Sequence, residues 1–216
     1  MTSPDTRTRS LARFAGTLAV AALAAGCADT STPVAPDEAA SLARGGSKVA
    51  NADFVAQLSP LNAHATKRAA TGRATLTVNG DMVTIMIDAR GVFPAVHPQH
   101  IHGWMGAAQD ATCPSPTADT DGDGLVELLE GLPFYGPVLV PLDSDLSADA
   151  PGMFPVAGND WRYHYSQTIS VMELKAQLGI SDLSMLDRFA IVLHGAMVDG
   201  TYQAVLPIAC GEIRMR

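Results

Sequence analysis

Residues 74–87 read ATLTVNGDMVTIMI, in which two runs of alternating apolar and polar residues flank Asn79-Gly80. Successive side chains of a β-strand point to opposite faces, so each run fits a strand with one buried face. Asn-Gly is a strong signal for the tight turn of a hairpin. The stretch therefore predicts a β-hairpin, and it sets the class of the fold.

Further strand signals recur on the C-terminal side of this hairpin, separated by connections rich in glycine, proline and aspartate. Short strands at this spacing are typical of two packed antiparallel sheets, so we expect an all-β antiparallel sandwich. One short helical insertion is predicted at 171–178, where Ser170 and Glu173 form a capping box and Gly179 ends the helix. The four further strands are expected near residues 99–104, 162–169, 188–194 and 202–208.

Residues 97–103, HPQHIHG, carry the clearest chemical signal. Alternation along a strand places His100 and His102 on one face, so both imidazoles could reach one metal ion. A later segment, Leu193-His194-Gly195, offers a third imidazole. Histidine spacing does not distinguish copper from zinc, and a purely structural polar cluster is the alternative.

The N-terminal 26 residues are typical of an export signal. Three arginines precede the apolar run 14–23, which is too short to span a bilayer and ends in Ala24-Ala25-Gly26-Cys27. This pattern predicts a bacterial lipoprotein signal, cleaved before Cys27 and lipidated there, with a plain secretory signal as the alternative. In the lipoproteins that it resembles, a non-acidic residue such as Ala28 favours transport to the outer membrane or cell surface. We therefore expect a membrane attachment through lipid, a flexible tether over 27–52 and a folded domain over 53–216.

The chain is acidic, with 14 Lys and Arg against 22 Asp and Glu and a net charge of -8. An acidic exported protein is a poor partner for nucleic acid. The sequence has no Gly-rich phosphate loop, nucleophile elbow or basic patch with interleaved aromatic residues, so nucleotide, acyl-transfer and nucleic-acid functions are not predicted. Metal ions are the expected ligands, and the sequence identifies no protein partner.

Residues 119–130, DTDGDGLVELLE, fit the twelve-residue calcium-loop pattern. Pro114 and Pro116 oppose a helix entering the loop, and Gly131 with Pro133 limits a helix leaving it, so we expect an isolated calcium loop. A solvated acidic turn is the alternative. The predicted ligands are Asp119, Asp121, Asp123, Leu125 through its carbonyl, Glu127 through water and Glu130. A second acidic stretch, with Asp143, Asp145 and Asp149, is expected in a solvated loop.

Three cysteines occur in the chain. Once Cys27 carries lipid, Cys113 and Cys210 remain as an even pair in an oxidising compartment, so we expect them to form a disulfide. Two buried free thiols are the alternative.

Four short segments in the same order resemble the Cu/Zn superoxide dismutase-like superfamily. Residues 90–102, RGVFPAVHPQHIH, resemble its Gly-Leu-x-Pro-Gly-x-His-Gly-Phe-His-Val-His stretch, with the same H-x-x-H-x-H spacing. Cys113 follows His102 at a similar distance, and residues 187–194 and 208–213, DRFAIVLH and IACGEI, resemble the later copper strand and the C-terminal segment. Bacterial CHRD-domain proteins, which also carry a His-Ile-His-Gly segment, are a second match.

The dismutase resemblance implies a Greek-key β-sandwich in which His100, His102 and His194 bind copper. It also implies that His97 supports the site and that Cys113 and Cys210 are bonded.

The chain also departs from the dismutase pattern. The bridging histidine and the zinc ligands of the family are missing, and only His164 lies in that region, as a fourth ligand, a supporting group or an ordinary strand histidine. Pro207 stands where the family has an arginine that attracts the anionic substrate. Three functions follow from the resemblance: a copper-binding envelope protein, a superoxide dismutase with an altered metal site, or a CHRD-like adhesion module. Zinc is an alternative metal for the site.

Overall fold

Eight strands form one curled antiparallel sheet in the computed structural model, which describes residues 53–146 and 152–216. The order of the strands is β5-β4-β7-β8-β1-β2-β3-β6. The all-β prediction is confirmed at this level. The predicted signal, Cys27 and the tether lie outside the described residues. The strands are β1 Asp53–Pro60, β2 Thr71–Asn79, β3 Met82–Arg90, β4 Gln99–His102, β5 Val138–Pro141, β6 Arg162–Ser170, β7 Ala190–Val198 and β8 Thr201–Met215.

The predicted hairpin is present as β2 and β3, which pair from Thr71 opposite Arg90 to Asn79 opposite Met82. Two residues therefore make the turn, Gly80 and Asp81. The inward-facing apolar residues of both strands, among them Leu76 and Ile85, are buried, while the alternate residues, including Met82 and Met86, face outward. Burial of these apolar side chains is the main force that fixes the register, because a slip of one residue would expose all of them.

Within the part of the chain that the structure describes, three α-helices connect the strands: α1 Ala63–Thr66, α2 Leu128–Tyr135 and α3 Val171–Leu178. The predicted helix is α3, in which the backbone N–H of Glu173 donates to Ser170 Oγ at 3.1 Å and Gly179 follows the last turn. The prediction of a single helical insertion was wrong, because α2 forms despite Pro133. It buries Tyr135 completely, and such tertiary packing stabilises a helix whose sequence alone does not favour it. Within the described residues, no helix has the length and apolar character needed to cross a membrane.

Strand β7 is buried on both faces over most of its length, and so is the middle of β8. One face, with Ile191 and Leu193, belongs to the main core. The other face, with Ala190 and Val192, is covered by a smaller apolar cluster that includes Tyr135. This second face is the one that carries the candidate site.

A disulfide joins Cys113 to Cys210 across a sequence separation of 97 residues, as predicted. Cys210 lies on β8 opposite Val192, so the bond fastens the segment after β4 onto the second face of β7 and β8. Closing a loop of this length stabilises a fold by about 4–5 kcal/mol on the chain-entropy account.

The acidic stretch after β5 is not uniformly solvated. Asp143 is 2% exposed, and its carboxylate accepts hydrogen bonds from the backbone N–H groups of Asp145, Leu146 and Gly152, each at 2.9 Å. The prediction of a solvated loop was therefore wrong for Asp143, because a carboxylate with three donors can be buried. Asp149 lies outside the described residues.

Candidate metal centre

Strands β4 and β7 bring the three histidines of the candidate site together. His100 lies opposite Val192 and His102 opposite Ala190 on adjacent antiparallel strands, so the side chains of these two histidines share the second face of β7. His194 follows on β7 at a break in the β7–β8 register. One ring nitrogen from each histidine lies within 4.8 Å of the other two.

The backbone at this break depends on Gly195. Its φ of +102° lies in a region that side-chain-bearing residues rarely adopt, and a Cβ there would overlap the Tyr202 hydroxyl. The same Cβ would lie 3.2 Å from Nδ1 of His97. Glycine therefore permits the local geometry that turns His194 toward β4.

Hydrogen bonds determine which ring nitrogen of His102 and of His194 is available to a metal ion. His102 Nδ1 lies 2.8 Å from the carbonyl oxygen of Gly136, and His194 Nδ1 lies 2.9 Å from that of Val205. A carbonyl oxygen only accepts, so each Nδ1 carries the hydrogen and each neutral ring keeps its lone pair on Nε2. These are the outer hydrogen bonds that orient histidine ligands in metal sites.

Three buried ring nitrogens have no hydrogen-bond partner among the described residues: His100 Nδ1, His102 Nε2 and His194 Nε2. Buried polar atoms are almost always hydrogen-bonded, because an unpaired one costs about 1–3 kcal/mol. Three such atoms from three histidines that meet in one group are the donors that a metal ion would satisfy.

Burial keeps the three imidazoles neutral. It lowers the pKa of His100 to about 3, with additional repulsion from His194 and His102. It also lowers the pKa of His102 and of His194 to about 4, against the opposing effect of their carbonyl partners. A metal ion binds the deprotonated nitrogen, so the site is in its ligating form at neutral pH.

Aromatic side chains enclose the group. The ring of Tyr135 meets His102 edge-on with centroids 4.7 Å apart, and Phe154 meets His100 in the same way at 5.3 Å. Tyr135 is fully buried and its hydroxyl donates to the carbonyl of Leu128 at 3.2 Å. These contacts join distant segments, so sequence reasoning missed both residues, and no local pattern marks either.

His97 supports the site from outside it. Its Nδ1 lies 2.8 Å from the carbonyl oxygen of His194 and its Nε2 lies 2.7 Å from that of Phe93. Both contacts are hydrogen bonds only when both ring nitrogens carry hydrogen, because neither oxygen can donate. The ring is fully buried and stacks on Tyr163 at 5.7 Å between centroids.

His164 is placed differently from the three site histidines. It lies on β6, is exposed, and its Nδ1 is 2.8 Å from a carboxylate oxygen of Asp88 on β3. The residues that meet at the candidate centre do not include it. The geometry fits an ordinary strand histidine rather than a fourth ligand.

The acidic loop brings together only part of its predicted ligand set. Carboxylate oxygens of Asp119, Asp121 and Asp123 lie within 4.8 Å of one another, whereas Glu127 and Glu130 are outside this group. Glu130 instead accepts hydrogen bonds from Thr120 at 2.6 and 2.7 Å, and these bonds lower its pKa to about 2. The side chain of Leu125 is buried in the main core. Calcium binding at this loop stays a prediction.

The residues that meet at β4 and β7 could hold a metal ion such as copper through three nitrogen donors. Three protein ligands leave at least one coordination position for water or another ligand. Neither a scan against protein-family models nor a search of curated proteins found a match to this chain.

Proposed function

We propose that this chain is an exported, lipid-anchored copper-binding protein of the Cu/Zn superoxide dismutase-like superfamily. The observation that carries the proposal is the group of three buried ring nitrogens without hydrogen-bond partners, on His100, His102 and His194. A structural cluster would leave all three unsatisfied, whereas one metal ion satisfies them together.

The donor set favours copper. Imidazole suits copper and zinc among the common metals, and copper(II) binds a given nitrogen site more tightly than zinc does. No thiolate competes within the group, because both described cysteines are in the disulfide. Zinc is the alternative occupant, and a competition experiment separates the two metals.

Two features that the resemblance predicts support the family assignment. The three histidines that it assigned to copper lie within one group, and the two cysteines that it paired are bonded. The Greek-key sandwich belongs to the same proposal. The disulfide also fits an exported protein, since such bonds persist in oxidising compartments. Lipidation at Cys27 would hold the domain at the membrane through the segment 27–52.

Copper binding without fast superoxide turnover is the activity that we propose. Pro207 lies directly opposite His194 in the β7–β8 ladder, where the family carries an arginine that attracts the anion. An uncharged proline supplies no such field. Among the described residues between Cys113 and Cys210, His164 is the one histidine outside the site. Its Nδ1 lies within hydrogen-bonding distance of the Asp88 carboxylate.

Metal stoichiometry tests the proposal. The purified chain would be stripped with a chelator, incubated with equal copper and zinc, desalted and analysed for both metals. We expect about one equivalent of copper per chain, and loss of it in His102→Gln and in His194→Gln. Electron paramagnetic resonance of the copper(II) form should show coupling to nitrogen.

Two matched variants control for the loss of a histidine elsewhere. His64→Gln alters an exposed histidine on α1, and His164→Gln removes the histidine that pairs with Asp88. Both should keep the full equivalent of copper. Equal copper in the wild type and in His102→Gln, with both chains folded by circular dichroism, would refute a histidine copper site. Zinc retained in preference to copper would refute the choice of metal.

A further inference from the structure

A groove of about 820 Å³ lies on the outward face of β1, β2, β3 and β6, away from the strands that carry the histidine site. The sheet register explains its lining. Arg90 lies opposite Thr71 on one side and Arg162 on the other, and the next row of outward residues runs from Arg73 through Asp88 to His164. Side chains that share one face of four neighbouring strands thus converge on one concavity.

The charge distribution in this groove is unusual for an acidic chain. Arg90 and Arg162 are direct cross-strand partners, and like charges in that position repel each other at a separation of about 5 Å. Of the two acids that line the groove, Asp88 is engaged by His164 at 2.8 Å, and Asp160 is the other.

Three arginines elsewhere in the described residues have partners. Arg188 pairs with Asp110, Arg214 pairs with Glu212, and the guanidinium of Arg68 lies 3.4 Å from the ring centroid of Trp161. No ion pair within 53–146 and 152–216 involves the three arginines of the groove, Arg73, Arg90 and Arg162. Within these ranges, the two adjacent guanidinium groups of Arg90 and Arg162 therefore lack a carboxylate partner.

We propose that this groove binds an organic phosphate, with Arg90 and Arg162 holding the phosphate group between them. A guanidinium presents a planar fork of N–H donors that matches oxyanions. One fork occupies both oxygens of a carboxylate, whereas the three terminal oxygens of a phosphate monoester can engage two forks at once. Arg90 Nε already donates to Thr71 Oγ1 at 3.1 Å, which fixes the plane of this guanidinium and leaves its outer nitrogens free for the ligand.

The size and the polar lining of the groove indicate that the phosphate group belongs to a larger polar molecule. A volume of about 820 Å³ is within the range of small-molecule sites and far exceeds that of one inorganic ion. Gln57, Ser59 and Thr71 add an amide and two hydroxyl groups to the lining, and such groups hydrogen-bond to the hydroxyls of a sugar. A sugar phosphate is therefore the class of ligand that fits.

Thermal unfolding of the whole chain, in a chelator and at constant ionic strength, tests this proposal without involving a metal. The probes are glucose 6-phosphate, inorganic phosphate, glucuronate and glucose, each up to about 10 mM. A ligand that binds only the folded state raises Tm with concentration, so the series yields a Kd for each probe. We expect glucose 6-phosphate to raise Tm most and glucose to leave it unchanged.

Substitution of the arginines locates the effect. Arg90→Gln and Arg162→Gln should each raise the Kd for glucose 6-phosphate about tenfold or more, because each removes charge-assisted hydrogen bonds. Neither variant should lower the Tm measured without ligand, since each relieves the cross-strand repulsion. Arg214→Gln, which removes an exposed arginine outside the groove, should keep the wild-type Kd.

Four results would overturn the proposal. An unchanged Tm with both phosphate probes would exclude the site, and an equal response in the wild type and Arg90→Gln/Arg162→Gln would place binding elsewhere. Equal Kd values for glucuronate and glucose 6-phosphate would show that the groove attracts anions in general and does not recognise phosphate. Tighter binding of glucose 6-phosphate than of inorganic phosphate would support recognition of the sugar as well as the phosphate. Equal binding of the two would refute the proposal of an organic phosphate.

Discussion

The Nδ1 atom of His97 lies 2.8 Å from the backbone carbonyl oxygen of His194, so one histidine holds the main chain of another. His194 presents its Nε2 to the candidate metal centre, whereas both nitrogens of His97 face carbonyl groups. The position of a ligand thus depends on a residue that contributes no ligand atom. Such outer contacts often change metal affinity by 10–100-fold.

Replacement of His97 by alanine should weaken both the fold and the site. Two carbonyl oxygens would lose the one side-chain partner that each has among the described residues, and we expect the free energy of unfolding to fall by about 2–4 kcal/mol. Copper affinity should fall about tenfold or more. Urea unfolding and copper titration measure the two effects, with His64→Ala as an exposed control. Unchanged copper affinity in folded His97→Ala would mean that His194 is positioned without it.

The metal-free chain should lose stability as the pH falls from about 6.5 to 4. Burial lowers the folded-state pKa of His102 and His194 to about 4, below the ordinary value of 6.5. The unfolded chain therefore binds more protons in this window, and its protonation favours unfolding. Each histidine should contribute on the order of 2 kcal/mol across the window.

Chemical denaturation in a chelator at several pH values measures this dependence. Carboxylates also titrate there, so the informative quantity is the difference between the wild type and His102→Gln. The variant should lose less stability between pH 6.5 and 4 than the wild type does. The exposed control His64→Gln should follow the wild-type profile. A His102→Gln profile parallel to that of the wild type would contradict the neutral, buried state of His102.

The local elements of this fold could be predicted from the sequence because neighbouring residues determine them. The β2–β3 hairpin needs only an alternating pattern and a turn, and α3 needs a cap and a glycine stop. Strand β5 was missed because it has four residues and Val138 is exposed, so its pattern is weak. Helix α2 was missed because its buried Tyr135, not its intrinsic propensity, supports it.

The candidate site was predictable in part for a similar reason. Strand alternation alone placed His100 and His102 on one face, and the structure agrees. The sequence offered His194 as a third imidazole, but only the family resemblance assigned it to the same metal, because its approach depends on the pairing of β4 with β7 and on the break in register beside Gly195. The hydrogen bonds to Gly136 and Val205 join residues 34 and 11 positions apart, and no sequence motif encodes them.

Binding of calcium by the acidic loop 119–130 should stabilise the folded chain. We expect about 1 mM calcium to raise Tm, since extracellular calcium modules bind in the range of 0.1–1 mM. Asp121→Asn should abolish the rise, because it removes one of the three carboxylates that lie together. Asp110→Asn alters an exposed acid outside the loop and should respond like the wild type. An equal rise in Tm in both variants, or no rise in the wild type, would mean that the loop is a solvated acidic turn and not a calcium site.

Removal of the disulfide should destabilise the second face of β7 and β8 before the main core. Cys113→Ser/Cys210→Ser should lower the free energy of unfolding by about 2–5 kcal/mol. Amide exchange should accelerate around Tyr135 and Ala111, which the disulfide holds against Val192, more than around Ile85 in the β2–β3 hairpin. Copper affinity should fall because Tyr135 packs on His102. Uniform acceleration in both regions would contradict a local role.

A comparison of Gly195 on β7 with Gly200 in the turn between β7 and β8 separates the effect of backbone strain from that of close packing. Gly195 and Gly200 have φ of +102° and +81°, so alanine is strained at both, at a cost of about 1–3 kcal/mol. Only at residue 195 would the new Cβ overlap Tyr202 and crowd His97, because nothing lies within 4 Å of a Cβ at 200. Gly195→Ala should therefore lose about 1–3 kcal/mol more than Gly200→Ala and should also weaken copper binding. Urea unfolding and copper titration of both variants provide the comparison. Equal losses of stability with intact copper affinity in Gly195→Ala would mean that the β7 backbone tolerates a side chain beside His194, and that the close approach of His97 does not hold the ligand in place.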